Sequence, residues 1–258
     1  MELSLTNNDV AIHYTIRGKG YPLVMIHGQF MNTSMFDSFN DAFKDFQLIK
    51  IDLRGHGLSD KLTSITMDGY IEDVLTVLDK LFIKNAHFMG FGLGGMVAGS
   101  IAAKYPEYVN RLIVMSVGQQ SYYEAEQKFH SKYASIIRTL SRSKRNEVLM
   151  DYMYHDIKAV KKYYKKMIEP SNGLTDKEED AVILSTIDFN VEDFKFITAP
   201  TLILNGKYDE LIPQDEAETI HQYISDSKLI TFEKSGHAML FEEKEHFEKE
   251  VLDFLKQE

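Results

Sequence analysis

Between Met89 and Gly95 the chain reads Met-Gly-Phe-Gly-Leu-Gly-Gly, and this run of glycines at the end of an apolar segment leaves few folds open. Ala86-His87-Phe88-Met89 before it has the length and character of a buried strand. Met96, Val97, Ile101 and Ala102 after it fall on one face of a helix that begins at Leu93. A strand that bends sharply into a helix needs small residues around the bend, because the two backbones then lie against each other. The spacing matches the Gly-x-Ser-x-Gly turn, except that its centre is Gly92.

The flanking segments predict how that unit is housed. Leu3–Thr6 and Val10–Ile16 read as a hairpin, followed by the strand Leu23–Ile26, a helix over Ser34–Phe46 and the strand Leu48–Ile51. A helix over about Asp68–Leu81, the glycine-rich unit and the strand Arg111–Met115 come next. Strands alternating with helices at this spacing predict an α/β fold, a mostly parallel central sheet with helices on both faces. The alternation pauses near Val117 and resumes near Pro200. In the gap, Phe129, Tyr133, Ile136, Ile137 and Leu140 share one helical stripe, and Ile157, Val160, Tyr163, Tyr164, Met167 and Ile168 share another. Thr175-Asp176-Lys177-Glu178 has the capping-box pattern and opens a helix carrying Val182, Leu184 and Ile187. The expected division is a core of residues 1–117 and 191–258 with a helical cap, or lid, of residues 118–190. The core continues with the strand Thr201–Leu204, a helix over about Pro213–Tyr223, the strand Lys228–Phe232 and a closing helix from Phe241.

Composition removes several classes of function. The 258 residues contain no cysteine, which excludes thiolate chemistry and disulfides and makes a reducing cytoplasm the expected compartment. The first residues, from Met1 to Asn8, lack the basic and apolar regions of a secretory signal, and no apolar run approaches the roughly 18 residues of a membrane span. A net charge of −10 disfavours nucleic acid as a partner. Basic residues gather between Lys128 and Lys166 and acidic ones in the closing helix from Glu242 to Glu258, an asymmetry read as two solvated faces. Oligomeric state is not legible.

Two further residues give the glycine-rich turn chemical meaning. Asp209 follows the strand Leu202-Ile203-Leu204 in Asn205-Gly206-Lys207-Tyr208-Asp209, and His237 follows the last strand in Ser235-Gly236-His237. Both fall in loops at the carboxyl ends of strands, where open α/β sheets bind ligands. A hydroxyl nucleophile needs an imidazole to take its proton and a carboxylate to fix the imidazole's tautomer, and the order turn, acid, histidine fits that requirement. On these motifs, with His27-Gly28 and the Asp52-Leu53-Arg54-Gly55-His56-Gly57-Leu58-Ser59 loop, the chain resembles the α/β-hydrolase superfamily in its single-domain, capped, esterase-like branch. The resemblance covers essentially the whole chain. It implies a catalytic set of position 92, Asp209 and His237, with an oxyanion hole from the backbone N–H groups of Leu93 and Gln29, Phe30 being the alternative to Gln29.

The family pattern has serine where this chain has Gly92. Three accounts of the glycine stay open: a Ser-to-Gly variant of an active esterase, a binding protein that uses the cap and pocket without turnover, and a site in which His237 activates water directly. The resemblance implies a small ester-like substrate with an apolar portion, carboxylic ester, lactone or thioester, with no cofactor and no metal. A C–C bond hydrolase or perhydrolase of the same fold is the alternative enzyme. Among other candidates, His27 is read as bracing its loop, and Arg54 and His56 as ordering the Asp52 loop. His13, His87, His155, His221 and His246 show no partner pattern.

Overall fold

Period-two alternation in the central strands decides how both faces of the sheet are covered. The computed structural model describes residues 2–168 and 173–257; Met1, Glu258 and residues 169–172 of the expected helical insertion lie outside the described residues. In β3 (Pro22–Ile26), Leu23 and Met25 enter one apolar cluster while Val24 and Ile26 enter the other. In β6 (Val109–Met115), Ile113 and Met115 face the first cluster and Leu112 and Val114 the second. Side chains on a strand point alternately to its two faces, so a run apolar at every position must be covered on both. Fully burying each such side chain stabilises the fold by about 1.5–3 kcal/mol.

The sheet has eight strands in the order β1-β2-β4-β3-β5-β6-β7-β8. β1 (Glu2–Asn7) and β2 (Val10–Arg17) form the expected hairpin, and β2 runs antiparallel to β4 (Gln47–Ile51). From β4 onward, through β3, β5 (Ala86–Phe91), β6, β7 (Thr201–Gly206) and β8 (Ser227–Phe232), every pairing is parallel. Parallel strands place all their carboxyl ends at one edge, so the loops after Ile26, Phe91, Met115, Gly206 and Phe232 converge there.

Helices α1 (Met67–Lys80), α2 (Leu93–Lys104) and α8 (Gln214–Tyr223) contribute to one cluster, and α10 (Lys244–Leu255) to the other. Between β6 and β7 lie α3 (Tyr122–Lys132), α4 (Ala134–Ile137), α5 (Arg142–Met153), α6 (Ile157–Ile168) and α7 (Asp176–Leu184). Among the described residues no helix is long and apolar enough to cross a membrane.

Several local expectations change. The helix expected over Ser34–Phe46 is a 3-10 helix over Thr33–Phe39 followed by turns. Asn32 caps it by accepting from the Ser34 N–H, and Ser, Asn and Asp side chains through this stretch compete with the helical backbone, while Phe36, Phe39, Phe43 and Phe46 still bury. The closing helix is broken into α9 (Met239–Glu242) and α10 because Glu242 and Glu243 turn back. The Glu242 carboxylate accepts the N–H groups of Gly236 and Ala238, and Glu243 that of Lys234. In the insertion, Val182 is buried but Leu184 and Ile187 are exposed, as is Ile136, because α7 ends at Leu184 and the first stripe breaks at Tyr133.

Candidate active site

Helix α2 approaches β5 so closely that two of the glycines around the bend have no alternative. A Cβ on Gly90 would lie 2.2 Å from the Gly94 carbonyl oxygen, and one on Gly94 2.2 Å from that of Ile26. Gly92 differs: its backbone has φ 51° and ψ −115°, a conformation that costs an ordinary residue about 1–3 kcal/mol. Its N–H donates to the Met115 carbonyl at 2.8 Å, which pins the bend to the end of β6. The strand before it runs to Phe91, two residues beyond the expected end.

The structure brings Asp209 and His237 together. His237 Nδ1 lies 2.9 Å from Asp209 Oδ2, and both residues are buried. Asp209 Oδ1 accepts the N–H groups of Leu211 at 3.0 Å and Ile212 at 2.9 Å, so the carboxylate is oriented by its own turn. With Nδ1–H donated to the carboxylate, His237 Nε2 carries a lone pair. The His237 backbone is tied at both ends of its peptide unit: its N–H donates to the Met153 carbonyl at 2.8 Å, and its carbonyl accepts the Ser116 hydroxyl at 2.9 Å. Ser116 holds this position at φ 49°, a left-handed conformation rare outside glycine.

The loop after β3 closes a turn from Met31 N–H to the Gly28 carbonyl at 3.1 Å, with Phe30 at φ 58°. Gln29 and Phe30 therefore sit on a strained turn at the same sheet edge as Leu93. Leu93 is the first residue of α2, where the N–H has no acceptor within its own helix. The Gln29 side chain donates to Glu126 Oε2 on α3 at 3.2 Å, and its buried Oε1 has no hydrogen-bond partner among the described residues.

A residue that sequence reasoning passed over completes the site. The Tyr122 hydroxyl lies 3.2 Å from His237 Nε2, and because that nitrogen is an acceptor the phenol donates. Burial pushes the Tyr122 phenol well above its usual range, so it keeps its proton. The three atoms nearest a Cβ built on Gly92 all belong to the Tyr122 ring, the closest, Cε2, at 3.2 Å. Ser121-Tyr122-Tyr123-Glu124 is itself a capping box, and that signal places Tyr122 in the first helical turn after β6.

The remaining histidines and the Asp52 loop form a scaffold beside the site. His27 Nδ1 donates to the Gly28 carbonyl at 2.8 Å and its Nε2 accepts the Leu53 N–H at 3.1 Å, a neutral tautomer that burial favours by lowering its pKa. Burial works to raise the Asp52 pKa, yet hydrogen bonds from His13, Leu58 and Thr33 prevail and hold it at about 2. Arg54 grips Asp73 with two hydrogen bonds at 2.6 and 2.7 Å, and His56 Nδ1 donates to the Arg54 carbonyl. His13 thus has a partner its sequence context did not show, as do His221 on Ser227, His155 stacked on Tyr208, and His246 beside Glu243 and Glu250. Among the described residues no group of three or more His, Asp or Glu side chains is placed to hold a metal ion.

An eight-stranded, mostly parallel sheet with a sharp strand-to-helix bend after β5 is the architecture of one large class of hydrolases, and the fold comparisons agree. Residues 21–244 match the family model for the alpha/beta hydrolase fold, and the chain belongs to that family. It is similar to the AB hydrolase superfamily protein YisY of Bacillus subtilis, with 28% identity over 266 residues covering 96% of this chain and 97% of the relative. It is also similar to a 2-hydroxy-6-oxononadienedioate/2-hydroxy-6-oxononatrienedioate hydrolase of a Pseudomonas species, 27% identical over 95% of this chain and 92% of the relative. Among solved structures, an esterase from Exiguobacterium antarcticum superposes with a TM-score of 0.85 at 23% identity over 100% of both chains.

Proposed function

We propose that this chain carries the site of a serine-type carboxylic ester hydrolase, acting on an ester, lactone or thioester with an apolar portion, in a form with glycine at the nucleophile's position. The observation that carries the reading is the 2.9 Å His237–Asp209 pair beside an elbow whose backbone is already bent for a nucleophile. With a serine at 92, His237 Nε2 takes the hydroxyl proton as the oxygen attacks the ester carbonyl, and Asp209 stabilises the resulting imidazolium. The N–H groups of Leu93 and Gln29, with Phe30 as the alternative donor, hold the tetrahedral oxyanion. His237 then protonates the leaving alcohol, and a water deprotonated by the same imidazole releases the acid. Residues 118–190 act as the cap over this chemistry, with Met153 holding the His237 loop from within that segment.

With Gly92 the acyl-enzyme cannot form, and loss of the nucleophile costs about 10⁶ in turnover. Backbone donors do not depend on the side chain at 92, so a carbonyl compound still has its hydrogen-bond donors. The test is hydrolysis of p-nitrophenyl esters of short and medium chains by the protein as it stands, by Gly92→Ser, and by Gly92→Ser combined with His237→Ala. The reading requires a rise of several orders of magnitude with serine, lost again without the histidine. A second reading, a ligand-binding protein that never turned over an ester, draws on Tyr122, which already occupies the hydrogen-bonding place of the nucleophile. Inactivity of the serine variant on ester, lactone and thioester panels alike would favour it.

A further inference from the structure

Tyr122 and Gly92 meet although neither residue's own element requires it. Helix packing accounts for Gly90 and Gly94, whose Cβ atoms would strike backbone. At Gly92 the nearest neighbours are instead the edge of one phenol ring, with Cε2, Cζ and Cδ2 at 3.2, 3.8 and 3.9 Å from a Cβ. The backbone that carries this ring is held on both sides. Ser121 and Glu124 cap the helix reciprocally, and the Tyr123 N–H donates to Thr186 Oγ1 at 3.1 Å, fixing the start of α3 against the residues after α7. Tyr122 is 5% exposed and His237 1%, so their contact is buried.

We infer that Gly92 and Tyr122 are an interlocked pair in which the Tyr122 hydroxyl takes the hydrogen bond on His237 Nε2 that an elbow side chain would make, and the ring takes its space. Nε2 has one lone pair in the plane of the ring, so it accepts one strong hydrogen bond. A hydroxyl at position 92 and the phenol therefore compete for it. A contact of 3.2 Å to Cε2 also means that any side chain at 92 moves the ring by a few tenths of an ångström. In this chain Tyr122 is a positioning residue: it holds His237 in the tautomer whose Nδ1–H faces Asp209, and glycine at 92 is the residue that lets it do so.

Two measurements test the pair. In the protein with Gly92 untouched and histidine labelled with nitrogen-15, the His237 Nε2 resonance, assigned by its loss in His237→Gln, shifts on Tyr122→Phe because its hydrogen-bond donor is removed. In the second, a fluorophosphonate probe is followed onto position 92 by mass spectrometry in Gly92→Ser and in Gly92→Ser combined with Tyr122→Phe. Phenylalanine keeps the ring but returns the acceptor to the new hydroxyl, and labelling is expected to accelerate about tenfold, about 1.4 kcal/mol. The labelling arm rests on the ester-hydrolase reading of position 92, whereas the imidazole resonance does not. An Nε2 signal unmoved by Tyr122→Phe overturns the pair, and so does labelling of both serine variants at equal, measurable rates. A shifted signal with no labelling of either variant supports the pair and counts against the ester-hydrolase reading.

Discussion

Acidification should destabilise this protein in a pH window set by a histidine that lies beside the site. His56 is fully buried, its Nδ1 donates to the Arg54 carbonyl at 3.0 Å, and its Nε2 has no hydrogen-bond partner among the described residues. Protonating Nε2 would place a charge in a buried position with no acceptor for the hydrogen among the described residues. Burial first, and then the neighbouring His27, hold the His56 pKa down at about 3 from an ordinary 6.5. The sign follows from which state takes the proton. Below 6.5 the unfolded chain binds a proton at His56 and the folded one does not, so stability is present above that pH and is lost as pH falls toward 3. Each pH unit within the window costs about 1.4 kcal/mol, so about 2 kcal/mol disappears between about pH 6.5 and 5. Asp52, held at about 2 from 3.8, contributes its own loss only below that lower range. Urea unfolding at pH 7.5 and at about 5, for the protein and for His56→Gln, separates the terms, because other buried histidines cancel in the difference. The wild type should lose about 2 kcal/mol more than the variant on acidification. Equal losses would refute the argument that His56 stays neutral in the folded state.

Three substitutions extend the account. Gly94→Ala puts a methyl group 2.2 Å from the Ile26 carbonyl and should cost about 3 kcal/mol or more in chemical denaturation, exceeding Gly92→Ala, where only the backbone conformation and the Tyr122 edge resist. Asp73→Ala leaves the Arg54 guanidinium without its two-bond partner and should cost about 3–5 kcal/mol, with a preserved melting temperature as the contradicting result. In the Gly92→Ser background, Asp209→Asn should lower kcat about 10⁴-fold through loss of the productive tautomer while leaving the fold intact by circular dichroism.

Much of this was readable from residues because the determining forces are local. Gly90 and Gly94 announced a backbone-on-backbone approach, and the apolar runs Leu23–Ile26 and Leu112–Met115 announced strands covered on both faces. The meeting of Asp209 with His237 was legible because loops after parallel strands share one edge of the sheet. What stayed hidden depends on contacts between residues far apart in the chain. Nothing near His13 in sequence points to Asp52, and nothing near Tyr122 points to His237, 115 positions away. The helix expected over Ser34–Phe46 misled because its phenylalanine spacing suits a helix, yet the Ser, Asn and Asp side chains through this stretch compete with the helical backbone, and only the 3-10 helix over Thr33–Phe39 forms. The exposure of Leu184 and Ile187 shows the same limit, since a stripe of apolar residues does not say where its helix will end.

Whether a nucleophile belongs at position 92 is read from the mass of the protein after mixing with p-nitrophenyl acetate. Gly92→Ser should gain one acetyl group on the side chain introduced at position 92, absent from the unaltered protein and from the variant that also carries His237→Ala. Acetylation elsewhere in the chain, or ester turnover by Gly92→Ser that persists without His237, would contradict it.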